Sequence, residues 1–455
     1  MQLKTEKIFF LILAFVVLFI LGFNIIHYTP LLGYDAEAHI NYVDHLSRYL
    51  PDRINLPSDN DSREFFNPPI GYLVPSFFQI LCRNTIESSD FLNDCRPFYS
   101  FYTQIFQSFM YLLTILINLK ILKNFNKQNT IFNLAYLLLI SLTAVNYRTI
   151  SMIRGEPYIV FFLSILLYYL HQANKNEFSF DLRKIFIVGL AIGGIALSRQ
   201  WGFLLFPPLV LIVFHKTVVS KKNYMKFILS SFFIGFIFSS WFYFNLFFQY
   251  GSFTAFNLKR MPFSFSNKPV EFYVPTFENM KYLFYKPIRP YLDNQFITTL
   301  YSDLWGDYWG YFTFTSIHLD IGRNQKVIGD YLANVNTISL VSTLIIIYLY
   351  YKTCKLYKNS FFVKYLNFAV IFTFLGYMWF LLSIYEPTGD TIKATYLLQV
   401  FHLIAFIASI YLNKLKVSQP NLYKITVLIL CVTFIFNFQT YLSHYPVSFI
   451  EDYRF

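Results

Sequence analysis

Long, uninterrupted apolar runs constrain this chain more than any other feature. Phe9 to Ile26, Phe227 to Phe248 and Ile425 to Phe438 contain no charged residue. A run of about 20 apolar residues matches the roughly 30 Å of bilayer hydrocarbon. There a helix satisfies its own backbone hydrogen bonds where water cannot. Composition agrees with that reading. The chain is 56% hydrophobic and 14% charged, with a mean hydropathy of +0.44, whereas about a quarter of a soluble domain's residues are charged.

The net charge of +12 raises the question of nucleic acid, but the lysines sit in short links between apolar runs. They cluster at Lys120, Lys123 and Lys127; at Lys216, Lys221, Lys222 and Lys226; at Lys352, Lys355, Lys358 and Lys364; and at Lys414, Lys416 and Lys424. This is the pattern of cytoplasmic loops under the positive-inside rule. A nucleic-acid partner would call for one continuous basic patch.

Alternating runs and basic flanks predict an all-α polytopic membrane protein of about eleven spans. They are placed near 8–28, 101–121, 131–147, 155–171, 185–198, 199–214, 226–248, 337–352, 364–385, 393–413 and 423–442. The first is expected to be an uncleaved helix with a cytoplasmic N-terminus. Two long segments, 29–100 and 249–336, then fall on the outer side of what reads as one membrane-embedded domain. Both are expected to be structured, with 71–81 as a helix at the membrane interface. Cys82 and Cys95 share the first outer segment, and the sequence leaves open whether they pair. Cys354 and Cys431 lie at or inside the membrane and read as packing residues.

Acidic residues concentrate just after the first run, in Gly33-Tyr-Asp-Ala-Glu-Ala-His-Ile-Asn-Tyr42. If 35–50 is helical, Asp35 and His39 share a face and Glu37 points elsewhere. A carboxylate beside the membrane suits a general base or a divalent-cation ligand. Alternatively, Asp35 merely caps the helix. Arg154 and Glu156, in Met152-Ile-Arg-Gly-Glu-Pro-Tyr158, read either as a mutual salt bridge or as functional charges. Arg199 and Lys393 are predicted at the same outer level. Three cations at one depth suggest a bound phosphate or diphosphate, although each alone reads as a snorkelling residue. Asp303-Leu-Trp-Gly-Asp-Tyr-Trp-Gly-Tyr-Phe312 mixes aromatics with acids, which suits either sugar binding or anchoring at the interface.

Four features together resemble the GT-C membrane glycosyltransferases, especially the protein O-mannosyltransferase and aminoarabinose transferase branch. They are Tyr34-Asp35-Ala-Glu37-Ala-His39, the later Pro-Pro-Ile-Gly-Tyr72, the Arg154-x-Glu156 element, and the Lys393-Ala-x-Tyr396 start of a helix. The resemblance implies a GT-C fold and transfer of a sugar from a polyprenyl-phosphate donor to a lipid, glycan or protein acceptor at the outer face. Asp35 and Glu37 would be catalytic. Arg154, Arg199, Lys393 and Tyr396 would hold the donor phosphate, and His39, Glu156 and Asp307 would contact substrate. No nucleotide site is expected, consistent with the lack of a Walker or Rossmann glycine motif.

Ala36 separates Asp35 from Glu37 where the family often has an adjacent Asp-Glu pair, and Asn67 stands where it often has His before the two prolines. Both departures leave a divalent metal as an option rather than a requirement. The alternative reading is a lipid-glycan flippase or transporter, which would place charges mid-span and break its helices. A bacterial inner membrane is expected rather than the endoplasmic reticulum.

Overall fold

The computed structural model describes residues 2–86, 90–125, 131–216, 218, 220–313, 325–386 and 389–444. Among these, the secondary structure is helical, and an isolated bridge between Arg260 and Ile384 is the β pairing observed. The first apolar run forms α1 (Gln2–His27). The first outer segment folds into α2 (Ala36–Tyr49), α3 (Ile70–Arg83) and one turn, α4 (Phe91–Asp94), before α5 (Arg96–Leu122). A disulfide joins Cys82 at the end of α3 to Cys95 at the start of α5. The expected helix over 71–81 is present as α3.

The run expected as one span over 131–147 is instead two helices, α6 (Leu134–Ser141) and α7 (Ala144–Ser151), bent by 68°. Polar side chains explain the break. Asn146 Nδ2 donates to the Ile140 carbonyl at 2.6 Å and to Thr143 at 3.0 Å, satisfying groups freed by the bend. Next come α8 (Glu156–Lys175) and α9 (Leu182–Ser198), and then Arg199 in extended conformation. The stretch expected to span over 199–214 is irregular, with 3-10 turns on either side of α10 (Phe206–Leu211). Pro207 and Pro208 lack the N–H groups that a continuous helix would use.

Long helices resume with α11 (Lys221–Tyr250). The second outer segment contains α12 (Val270–Tyr273), α13 (Phe277–Leu283) and α14 (Phe296–Trp305). The chain closes with α15 (Gln325–Leu356), α16 (Phe361–Ser383), α17 (Leu398–Ser418) and α18 (Pro420–Phe436). By length and composition, six helices among the described residues can cross a membrane, or seven if the bent pair counts as one. That falls short of the expected eleven, because several apolar segments are short or broken.

Helices α9 and α11 approach each other through small residues. A Cβ on Gly189 would lie 2.6 Å from Ile234 Cβ and 2.8 Å from the Ser231 carbonyl oxygen, and one on Gly235 would lie 2.8 Å from Ile192. Close backbone approach of this kind substitutes for a hydrophobic driving force inside a membrane. Gly189→Val should therefore cost about 1–3 kcal/mol through overpacking, read as a lower melting temperature of the detergent-solubilised protein. Gly22→Val is the control, since nothing lies within 4 Å of that position, and it should leave the melting temperature unchanged.

Candidate active site

Asp35 stands at the N-cap position of α2, but its side chain makes no capping bond. Its backbone is left-handed (φ 52°), following Gly33 at φ 127°. Asp tolerates that conformation better than most residues. This turn aims the carboxylate across the site at Lys393, whose Nζ lies 3.2 Å from Asp35 Oδ2. The capping alternative is thereby excluded. The Lys393 ammonium beside it, more than any other group, holds the Asp35 carboxyl well below the ordinary range.

Lys393 is fixed by its backbone. Its N–H donates to Tyr377 Oη at 2.9 Å, and the next N–H, of Ala394, donates to Asp303 Oδ2 at 2.7 Å. The other Asp303 oxygen accepts from Arg148 Nη2 at 2.8 Å and from Tyr34 Oη at 3.4 Å. Arg148 also reaches Asp307 at 3.2 Å and the Gly306 carbonyl at 2.8 Å. Asp307 in turn accepts from the backbone N–H groups of Phe312 and Thr313. Asp307, expected at the substrate, is thus buried among backbone partners and supports the site from behind.

The Arg154–Glu156 bridge, one of the two readings of that element, does not form. Glu156 Oε1 accepts from Arg199 Nε at 3.0 Å, and Arg199 Nη1 lies 3.3 Å from Glu64 Oε2. Asn67 also donates to Glu64. Glycines make this convergence possible. A Cβ on Gly155 would lie 2.1 Å from the Ser198 carbonyl oxygen, and one on Gly71 would lie 3.1 Å from Gly155 Cα. The Pro-Pro-Ile-Gly and Arg-Gly-Glu elements therefore meet backbone to backbone, directly against Arg199. Arg154 turns the other way and donates to the Tyr34 carbonyl at 2.6 Å. It is 1% exposed, and among the described residues no carboxylate lies within ion-pair distance of it.

His39 is buried and bonded through Nδ1 to Tyr72 Oη at 2.8 Å, while its Nε2 lacks a partner among the described residues. Burial pushes its imidazole well below the ordinary value, so the ring is neutral. Glu37 is exposed and does not line the cavity described next.

Asp35, Glu64, Arg199, Lys393 and Tyr396 line a polar cavity of about 170 Å³. Gln200, Trp201 and Phe256 form part of its wall and also part of the wall of an apolar groove of about 350 Å³. That groove is completed by Leu204, Phe263, Trp379 and Phe380 among others. Among the described residues no three His, Cys, Asp or Glu side chains are grouped to hold a metal ion. Asp35 and Glu156, the carboxylates considered as ligands, each face a cation instead. This donor set does not fit a divalent metal.

Arg148 and Glu64 were not singled out from the sequence, and Asp303 was named only within the aromatic and acidic segment 303–312. Arg148 ends an apolar run, a costly place for charge, and that was the one available signal. Its partners lie more than 150 positions away.

The Asp35–Lys393 pair has a spectroscopic consequence. Wild-type Asp35 remains ionised as pH falls through the ordinary carboxylate range, because its proton affinity is depressed. Lys393→Met removes the largest cause of that depression, so Asp35 should protonate at a higher pH. Infrared titration of the protonated-carboxyl band, blanked with Asp35→Asn, reads the shift. An unchanged titration would refute the pairing.

No known family profile and no curated protein sequence matches the chain. Solved structures do. ArnT from Cupriavidus metallidurans, bound to undecaprenyl phosphate, superposes at a TM-score of 0.51 with 11% identity, over 93% of this chain and 63% of that one. The apo oligosaccharyltransferase of Archaeoglobus fulgidus superposes at 0.55 with 13% identity, over 97% of this chain and 59% of that one. AglB from the same organism, with an inhibitory peptide and a dolichol-phosphate, superposes at 0.51 with 13% identity, covering the same shares. The chain thus spans about three fifths of the proteins it matches. It shares the fold of the GT-C membrane glycosyltransferases.

Proposed function

We propose that the protein transfers a sugar from a polyprenyl-phosphate-linked donor to a lipid, glycan or protein acceptor at the outer face of a bacterial inner membrane. One observation carries the reading: a polar, charged cavity shares a wall with an apolar groove. A donor with a phosphosugar head and an isoprenoid tail has that same division. The undecaprenyl phosphate on ArnT and the dolichol-phosphate on AglB support it, as does the clustering of lysines in the short links between apolar runs, which favours an outer position for both long loops.

Arg154 strengthens the phosphate assignment. A buried cation without a carboxylate partner is expensive, and an incoming phosphate would neutralise it. Arg199, Lys393 and Tyr396 line the polar cavity, and Arg154 lies behind it against the Tyr34 carbonyl.

The chemistry follows from the Asp35–Lys393 pair. An acceptor O–H or N–H attacks the anomeric carbon, and the bond from that carbon to the phosphate oxygen breaks. The bonding electrons leave with the polyprenyl phosphate, and the acceptor proton passes to Asp35. While paired with Lys393, Asp35 is a weak base. Donor phosphate competing for the ammonium relieves that restraint, so donor binding raises the basicity of Asp35 as it stabilises the leaving group. His39 and Glu156, each with a polar atom that has no partner among the described residues, would contact the sugar or acceptor.

The bent α6–α7 pair is a feature of the flippase alternative. Its charge, Arg148, is however closed by Asp303 and Asp307.

Sugar transfer by purified protein in liposomes, from radiolabelled polyprenyl-phosphate sugars to a membrane extract, tests the proposal. Asp35→Asn should lower turnover by roughly 10²–10⁴-fold with donor binding intact. Arg154→Gln should mainly weaken donor binding. Labelled lipid crossing the bilayer without transfer would establish the flippase instead.

A further inference from the structure

We propose that the segment Phe263–Tyr285 of the second outer loop is inserted in the outer leaflet of the bilayer, where it forms the lipid-facing lip of the apolar groove. The inference depends on the chain's membrane location and is independent of its enzymatic reading.

Exposure raises the question. Phe263, Phe265, Val270, Val274, Met280 and Tyr285 are exposed, and Phe277 is 92% exposed. A water-facing loop rarely shows so continuous an apolar surface.

Two contacts set the depth of this segment. The Phe272 ring lies 5.6 Å from Phe296, which lies 5.6 Å from Phe374 and 6.1 Å from Tyr377 of α16. Phe374 precedes the outer end of α16 at Ser383 by nine residues, hence about 13 Å along the helix. Through Phe296, α12 is thus connected to the outer half of a spanning helix. At the other end, Asn336 Nδ2 donates to the Leu283 carbonyl at 2.9 Å. Asn336 immediately precedes the apolar stretch of α15, so α13 ends at the membrane surface.

Continuity and charge identify the occupant as lipid. The outward face of α11 (Phe233, Phe236, Ile237, Phe244 and Phe248) is exposed apolar surface along a membrane-crossing helix. Phe253, stacked on Phe247 at 4.6 Å, extends it toward the segment. Residues 259–286 carry five cations (Lys259, Arg260, Lys268, Lys281 and Lys286) against Glu271 and Glu278. Lys268 is buried against Glu386. The exposed Lys259, Arg260 and Lys281 can hold their charges at headgroup level while their stems stay apolar. Arg260, Met261 and Phe263 line the groove together with Gly376, Trp379 and Phe380. With this lip in the leaflet, the groove opens sideways into hydrocarbon, and an isoprenoid or acyl chain enters without crossing water.

Site-directed spin labelling of the full chain tests this. Val270→Cys, Phe277→Cys and, as a water-facing reference, Asp52→Cys are made in a Cys354→Ser, Cys431→Ser background. The disulfide-bonded Cys82 and Cys95 remain. The labelled proteins are reconstituted in vesicles of phosphatidylcholine and phosphatidylglycerol. Collision with oxygen should exceed collision with a soluble nickel chelate several-fold at 270 and 277, and the order should reverse at 52. Nickel dominating at 270 and 277 would place the segment in water and overturn the proposal. Low accessibility to both agents would mean that a second copy or another protein covers this surface, and would equally overturn it.

Discussion

The buried guanidinium of Arg148 is the interaction on which the site's geometry depends. It projects from the second half of a bent helix and is closed by Asp303 and Asp307 from the second outer loop. Removing one partner of such a pair costs roughly 3–5 kcal/mol, because the other charge stays buried alone. The same Asp303 carboxylate receives the Ala394 N–H and the Tyr34 hydroxyl. One group thus ties the bent helix, the acidic turn after α1 and the start of the tenth predicted span into a single unit. Lys393 faces Asp35 because its neighbour is held there.

Around that unit the cations are divided unequally. Lys393 is paired with one carboxylate that remains partly exposed, and Arg199 with two that are buried. Arg154 has only a carbonyl among its described hydrogen-bond partners. In the enzymatic reading, such a division among the described residues suits an anion that arrives with its substrate. The Asp35–Lys393 pair then links phosphate capture to the release of a base.

Much of this was legible in the primary structure, though unevenly. Asp35, Arg199, Lys393 and Tyr396 were singled out separately, and all four line one cavity. Partner choice was not legible. Arg154 and Glu156 are two residues apart, where side chains at a helix start do not face each other, so Glu156 reaches across to Arg199 in another element. Asp307 looked like a sugar contact because aromatics surround it, yet its oxygens are occupied by Arg148 and by backbone N–H groups. The count of spans was not legible, since a short or broken apolar segment has the same composition as a crossing one.

The sequence by itself determined that this chain lives in a membrane, that its lysines gather in the short links between apolar runs, and which short motifs carry charge away from those links. Those properties follow from transfer free energies and charge asymmetry, which act residue by residue. Only the tertiary structure decided which charges neutralise one another, that Asp35 faces a lysine 358 positions away, and that polar cavity and apolar groove share a wall. Pairing over such distances is set by where helices cross and where glycines let backbones touch, and no local pattern encodes it.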